Sequence, residues 1–293
     1  MIPRSMNGAA ACSFTLVRPQ FTVDRPATIS DFYNEARSYL LANETEHGLM
    51  LSVAAGTLVA PGDAYWAVVR DRAGKVVAAA LRTIPKMILG REASTGAAEA
   101  LGADARQAKF ESIIGPWASL RSFAAAFGGD WREGHHHVVY ECRVAQSVPM
   151  PRGRARVVVP DDRSRIADWI QAFSAEAIGD GATRQAAEAL ADRHAREGSM
   201  WLWCVGEEPV ACTAAVGRTP HGIRITSVYT PPEHRRHGYA SALVASLTRK
   251  LLDGGRDFVF LYADRKNPTA NAIYQRIGYR EIAEAGELWR STD

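Results

Sequence analysis

The chain has 293 residues, 47% of them hydrophobic and 23% charged, with a formal net charge of +3. That length suits two ordinary domains with full cores, and so small a charge argues against nucleic acid or an anionic membrane as a partner. Cys12, Cys142, Cys204 and Cys212 form no C-x-x-C pair. Their scatter argues against a disulfide framework or a cysteine-based zinc site and predicts a cytoplasmic protein.

The opening stretch "MIPRSMNGAAACSFTLVRP" lacks an apolar core of signal-peptide length, and no segment approaches the ~20 apolar residues of a membrane span. Helices are expected over 29–41 and 45–55. They lead into "AYWAVVRDRAGKVVAAALRTIP" (64–85), where two apolar runs flank a polar turn at Asp71–Gly74. This reads as a β-hairpin.

The same series returns later. Helices over 162–178 and 183–197 precede "MWLWCVGEEPVACTAAVGRTP" (200–220), a second aromatic-led hairpin that also closes on Arg-Thr. Such self-similarity predicts two copies of one fold, over 13–148 and 152–293. The join is "VAQSVPMPRGRARVVVP", in which Pro149, Pro151 and Gly153 precede a fresh strand over 154–159.

Beyond the second hairpin the pattern predicts a strand over 223–230. A helix over 239–253 follows, with Ala240, Leu243, Val244, Leu247 and Leu251 on one face and Gly254–Gly255 at its end. A strand over 258–263, a helix over 268–277 and a last strand from Tyr279 complete an α/β architecture, an α+β mixed sheet with helices on its faces. In His135-His136-His137 consecutive side chains alternate sides, so only His135 and His137 can share a ligand. With no matching third ligand, no metal is expected, and the stretch reads as strand-edge surface.

The segment "SVYTPPEHRRHGYASALV" joins strand to helix through Pro231-Pro232 and a basic turn. A helix mouth exposes backbone N–H groups and a partial positive charge, which suit phosphate. Gly238 lets a ligand approach the backbone, and Arg235 and Arg236 add charged donors. By itself the turn also reads as a basic loop capping a helix.

Downstream, Asn267, Ala270, Tyr274, Gly278 and Tyr279 follow a strand at set intervals. With these two motifs the chain, from about Arg154 onward, resembles the GNAT superfamily of N-acetyltransferases. That superfamily's R/Q-x-x-G-x-G/A signature is met by Arg235-Arg236-His237-Gly238-Tyr239-Ala240, and its N-x-x-A-x-x-x-Y motif by Asn267, Ala270 and Tyr274. The first half carries neither motif: in "IGPWASLRSFAAAFGG" Phe123 or Phe127 stands where a tyrosine is wanted. The resemblance therefore implies tandem GNAT-like folds with a degenerate first copy.

It also implies acetyl-CoA as co-substrate, held by Val228, Tyr229, Thr230, the turn from Arg235 to Ala240, Ser241, Asn267 and Tyr274. Tyr274 would protonate the departing thiolate, although a core tyrosine would look the same. Asn267 before Pro268 also reads as an N-cap. The oxyanion would meet a backbone N–H near Val228.

Many relatives place a glutamate on the fourth strand, but "GIRITSVYT" has none. Glu176, Asp264, or a water relayed by Ser227 or Tyr229 remain as base, and each carboxylate also reads as a solvated surface charge. The implied reaction is direct attack by a primary amine of a small molecule, with no nucleic acid or membrane partner. A non-catalytic acyl-CoA sensor is the alternative.

Overall fold

The computed structural model describes residues 20–56, 65–82, 86–178 and 181–291. Cys12, the N-terminal stretch and the outer ends of the first hairpin (Ala64 and 83–85) lie outside them. In the first half the order is β1 (Phe21–Asp24), α1 (Ile29–Leu41), α2 (Gly48–Gly56), β2 (Trp66–Asp71), β3 (Val76–Arg82) and β4 (Lys86–Leu89). Then come α3 (Ala97–Asp104), β5 (Ser112–Pro116), α4 (Trp117–Phe127) and β6 (Trp131–Cys142). The second half repeats it: β7 (Arg154–Val157), α5 (Arg163–Phe173), α6 (Arg184–Glu197), β8 (Met200–Val205), β9 (Glu208–Val216) and β10 (Gly222–Tyr229). It closes with α7 (Tyr239–Asp253), β11 (Phe258–Asp264), α8 (Pro268–Ile277) and β12 (Arg280–Arg290).

Both expected hairpins are present, as β2–β3 and β8–β9. The helix expected over 162–178 is α5 followed by a π-helical turn, Ser174–Ile178. Local chemistry explains many element ends. Thr28 and Asp31 form a capping box at α1, and the Thr183 and Asn267 side chains accept backbone N–H groups at α6 and α8. Gly198 and Gly278 close α6 and α8 in the left-handed conformation.

All twelve strands form one sheet, in the order β1-β2-β3-β4-β5-β12-β6-β11-β10-β9-β8-β7. Read from either edge, five strands of one half are followed by the last strand of the other. β12 pairs with β5 of the first half, and β6 pairs with β11 of the second, while β6 and β12 pair along their lengths at the centre. Each half's sheet is thus completed by the other half. This corrects the reading of His135–His137 as strand-edge surface: β6 is an interior strand, and the three side chains are half-buried. The edge assignment failed because both strands beside β6, β12 and β11, come from the second half.

Helices cover both faces, and strands such as β3 and β11 are apolar on both sides. Val68 and Leu81 pack with α1 and α2, whereas Ala67, Val69 and Ala80 pack with α3 and α4. In the second half Cys212 and Ala214 lie in the core with α5 and α6. Val259, Leu261 and Ala263 meet α7 and α8, together with Val138, Tyr140 and Cys142 of β6. The two halves also interlock through α2. A Cβ on Gly48 would stand 2.4 Å from the ring of Phe260 on β11, so only glycine lets α2 sit this close.

Candidate functional site

β10 and β11 run parallel but share backbone pairing only where Gly222–Arg224 faces Phe258–Phe260. Beyond Arg224 they separate, β10 running on to Tyr229 and β11 to Asp264. β10 also carries a bulge between Thr226 and Tyr229, with Ser227 at φ 51°. The result is a notch in the middle of the sheet, next to backbone groups released from the ladder.

The chain leaves the notch through Val228, Tyr229 and Thr230 and enters α7 through the basic turn. Gly238 is the N-cap, at φ 81°, and no side chain caps the helix. A Cβ built on Gly238 meets nothing within 4 Å, so the space beside the uncapped helix mouth is open. Thr230 Oγ1 is buried without a hydrogen-bond partner. An uncapped helix mouth and an orphaned hydroxyl at one strand end suit a ligand with phosphate and amide groups. Tyr239, stacked on His237 at 5.4 Å, opens α7, and Ala240 and Ser241 lie half-buried in its first turn.

Arg235 and Glu176 meet directly. One guanidinium nitrogen of Arg235 donates to both carboxylate oxygens of Glu176, at 3.0 and 2.7 Å, and Nε donates to Thr230 O at 2.9 Å. The Tyr229 hydroxyl reaches the same carboxylate at 3.5 Å. Arg235 therefore pins the turn to the strand end, while Arg236, at φ 67°, is exposed. Asp264 closes the turn into α8, its carboxylate accepting Lys266 N–H at 2.8 Å. Asn267 accepts Ala270 N–H at 3.0 Å as the α8 cap. The Glu176 and Asp264 carboxylates are thus both engaged in hydrogen bonds.

Tyr274 is buried in the core cluster against which Val228 packs, with its ring 6.2 Å from Tyr140 and 5.9 Å from Tyr279. Burial pushes its phenol up to about 12, so it stays protonated at any ordinary pH.

On the opposite face of the sheet lies a cavity of about 330 Å³. It touches β10 at Arg224, Ile225 and Thr226, just before the bulge. The first half supplies much of the remaining wall, including His135 and His137 of β6 and Leu49 and Met50 of α2. The rings of His135 and His137 stand 5.6 Å apart. Burial, then the neighbouring His135, lowers the pKa of His137, which leaves it neutral near pH 7. His47, also in the wall, is locked by Leu40 O and Arg91 N–H on its two ring nitrogens.

Arg224 was missed from sequence, although it is the one charge in an apolar strand, a visible signal. His137 was singled out there but read as strand-edge surface, because its surroundings depend on the strand exchange. Among the described residues no three His, Cys, Asp or Glu side chains cluster as metal ligands, and no helix is long and apolar enough to cross a membrane.

The matching place in the first half is closed. The Glu92 carboxylate accepts Ala98 N–H at 3.2 Å at the mouth of α3. β4 and β5 also share three pairs, to Ile88 and Ile114, but they stay close beyond them: a Cβ on Gly115 would stand 2.5 Å from Leu89 O.

Residues 204–289 match the family model described as FR47-like protein. No curated protein matches the chain. The structure is similar to an acetyltransferase from the GNAT family from Colwellia psychrerythraea (10% identity, covering 92% of this chain and 100% of that one, TM-score 0.59). It is also similar to a GCN5-related N-acetyltransferase from Sphaerobacter thermophilus (17% identity, 92% and 95% covered, TM-score 0.61). A tandem GNAT protein from the clavulanic acid biosynthesis pathway matches as well (16% identity, 92% and 98% covered, TM-score 0.54). At these identities the likeness is one of fold.

Proposed function

We infer that this chain, a GNAT-superfamily protein of tandem folds whose C-terminal half carries an FR47-like domain, moves an acetyl group from acetyl-CoA to the amine of a small molecule. One observation carries the reading. The notch at β10–β11, with its orphaned Thr230 hydroxyl and open α7 mouth, backs onto a cavity that reaches the same strand from the other face.

Acetyl-CoA, when bound, supplies an activated acyl carbon and a thiolate leaving group. The α7 amides behind Gly238 and the Arg236 side chain hold its phosphates, and Thr230 bonds its amide arm. Arg235 keeps the turn in place through Glu176. Released backbone N–H groups at the β10 bulge donate to the oxyanion that develops as the amine attacks.

The amine must be neutral to attack, and neutral His137 in the cavity wall takes its proton. Tyr274 holds the proton that passes to the thiolate. The boundaries 13–148 and 152–293 remain our division of the chain into a degenerate and a catalytic half, although the exchanged strands mean that neither half completes its own sheet.

The test is a panel of amines with acetyl-CoA, followed by release of CoA thiol, beside titration of acetyl-CoA alone. Binding of one acetyl-CoA with amine-dependent release is expected. Binding with an intact thioester for every amine would assign the site to acyl-CoA sensing.

A further inference from the structure

The charges around the cavity are paired, with one exception. Glu287 is buried and meets Lys86 Nζ at 2.8 Å and the Ser112 hydroxyl at 2.7 Å. Glu46 meets Arg91 at 3.2 Å. Glu284 meets His136 at 3.0 Å and also Arg265.

Arg224 is the exception. Among the described residues it makes no hydrogen bond or ion pair, and its Nε is buried with no partner. Burial, with no carboxylate nearby, lowers its pKa from the usual value. A guanidinium does not discharge in a protein, so the cation stays, half-buried beside Tyr262 and without a carboxylate partner. Buried polar groups in folded proteins nearly always have partners, and a lone cation facing a cavity calls for an anion that enters it.

Its place rules out the phosphate cradle. Arg224 lies where β10 is still paired with β11, on the cavity face, whereas the α7 mouth follows the far end of β10.

We propose that Arg224 anchors a carboxylate of the acceptor, so that the amine served by this site belongs to the amino acids or similar carboxylate-bearing amines. This rests on the acetyl-transfer reading above. A planar guanidinium meets a carboxylate through two parallel N–H···O bonds. One negative charge balances Arg224, because every other charge in the wall has its own partner; a phosphate dianion would overshoot. Leu49, Met50 and Val139 provide an apolar wall for the acceptor's carbon chain, and the volume suits a molecule of this size.

Matched pairs test the anchor: L-leucine against 3-methylbutylamine, γ-aminobutyrate against propylamine, and phosphoethanolamine against ethanolamine, each followed by CoA release. The acids should exceed their decarboxylated partners in kcat/KM by roughly 10- to 100-fold, as charged hydrogen bonds allow. Arg224→Gln should erase that preference and leave acetyl-CoA affinity unchanged. Arg224→Lys, which keeps charge without the fork, should retain part of it.

Equal rates within the carboxylate pairs in the wild type overturn the proposal without recourse to any variant. So does a preference that survives Arg224→Gln, or a stronger preference for phosphoethanolamine. A second readout separates the two readings: thermal midpoints with L-leucine or γ-aminobutyrate in the presence of CoA. Acids that raise the wild-type midpoint but not that of Arg224→Gln, with no CoA release for any amine, support the anchor and sink acetyl transfer. Equal release from decarboxylated amines supports acetyl transfer and sinks the anchor.

Discussion

The carboxylate of Glu92 accepts the backbone N–H of Ala98 at the mouth of α3, while the corresponding mouth of α7, behind Gly238, is left open. One side chain thus fills, in the first half, a helix mouth that no side chain caps in the second. The Ser122 hydroxyl donates to the other Glu92 oxygen at 3.0 Å, and the Ser119 hydroxyl accepts Glu92 N–H at 2.9 Å.

Replacing Glu92 by alanine should cost about 1 kcal/mol of stability, the scale of a lost helix-end anion, seen as a lower urea midpoint. Acetyl-CoA should bind the wild type with a stoichiometry of one by calorimetry. A second equivalent would show that the first half is not closed.

In the turn before α7 the two arginines should separate. Gly238→Val strains a backbone at φ 81° and fills the approach to the amides, so acetyl-CoA affinity should fall at all salt concentrations. Arg236→Ala should weaken binding most at low salt. Arg235→Ala should act through the turn it pins to Glu176 and Thr230, with a loss that varies little with salt. Identical salt profiles for the two arginine variants would contradict this division.

Tyr274→Phe removes a hydroxyl and keeps the ring, so thermal stability and acetyl-CoA affinity should hardly change. Turnover should drop by roughly 10²–10⁴-fold if the phenol supplies the thiolate's proton. The deficit should shrink at high pH, where the thiolate leaves unaided. Wild-type turnover across the pH range would make Tyr274 a packing residue only.

Acid should destabilise the protein through His47, which burial pulls down to about 4. A depressed histidine pKa means the unfolded chain takes up the proton first. The contribution is therefore whole above pH ~6.5 and is lost as pH falls toward 4. Its upper size is roughly 3 kcal/mol. Protonation also replaces the Nε2 acceptor of Arg91 N–H with a donor. Urea midpoints at pH 7 and pH 5 should differ more in the wild type than in His47→Gln. His194, also pulled down to about 4 by burial, should keep part of the acid sensitivity in the variant.

Gly48→Ala should cost about 1–3 kcal/mol, because its Cβ would overlap the Phe260 ring. Any relief by moving α2 also moves Leu49 and Met50 in the cavity wall, so acceptor KM should change while acetyl-CoA affinity does not. An unchanged urea midpoint and KM would mean that α2 and β11 are not held in this close contact.

Much of the architecture was written locally. Alternating or 3.6-residue apolar patterns and Gly, Pro and capping residues marked both hairpins, α7 and α8. The turn from Arg235 to Ala240 and the face bearing Tyr274 were legible because each motif spans a single element and its ends. These features depend on neighbours a few residues away, which one sequence displays.

The tertiary structure decided the rest. Arg235 and Glu176 are 59 residues apart, and Ser112 and Glu287 are 175 apart. His137 became a wall of the cavity only because β6 crosses into the other half's sheet, and Arg224 became a lone cation only because no carboxylate folds beside it. Apolar periodicity says which side of a strand is buried, but not which strand lies beside it. That choice is made by the order of the whole sheet, and it determines which charges find partners and which are left to a ligand.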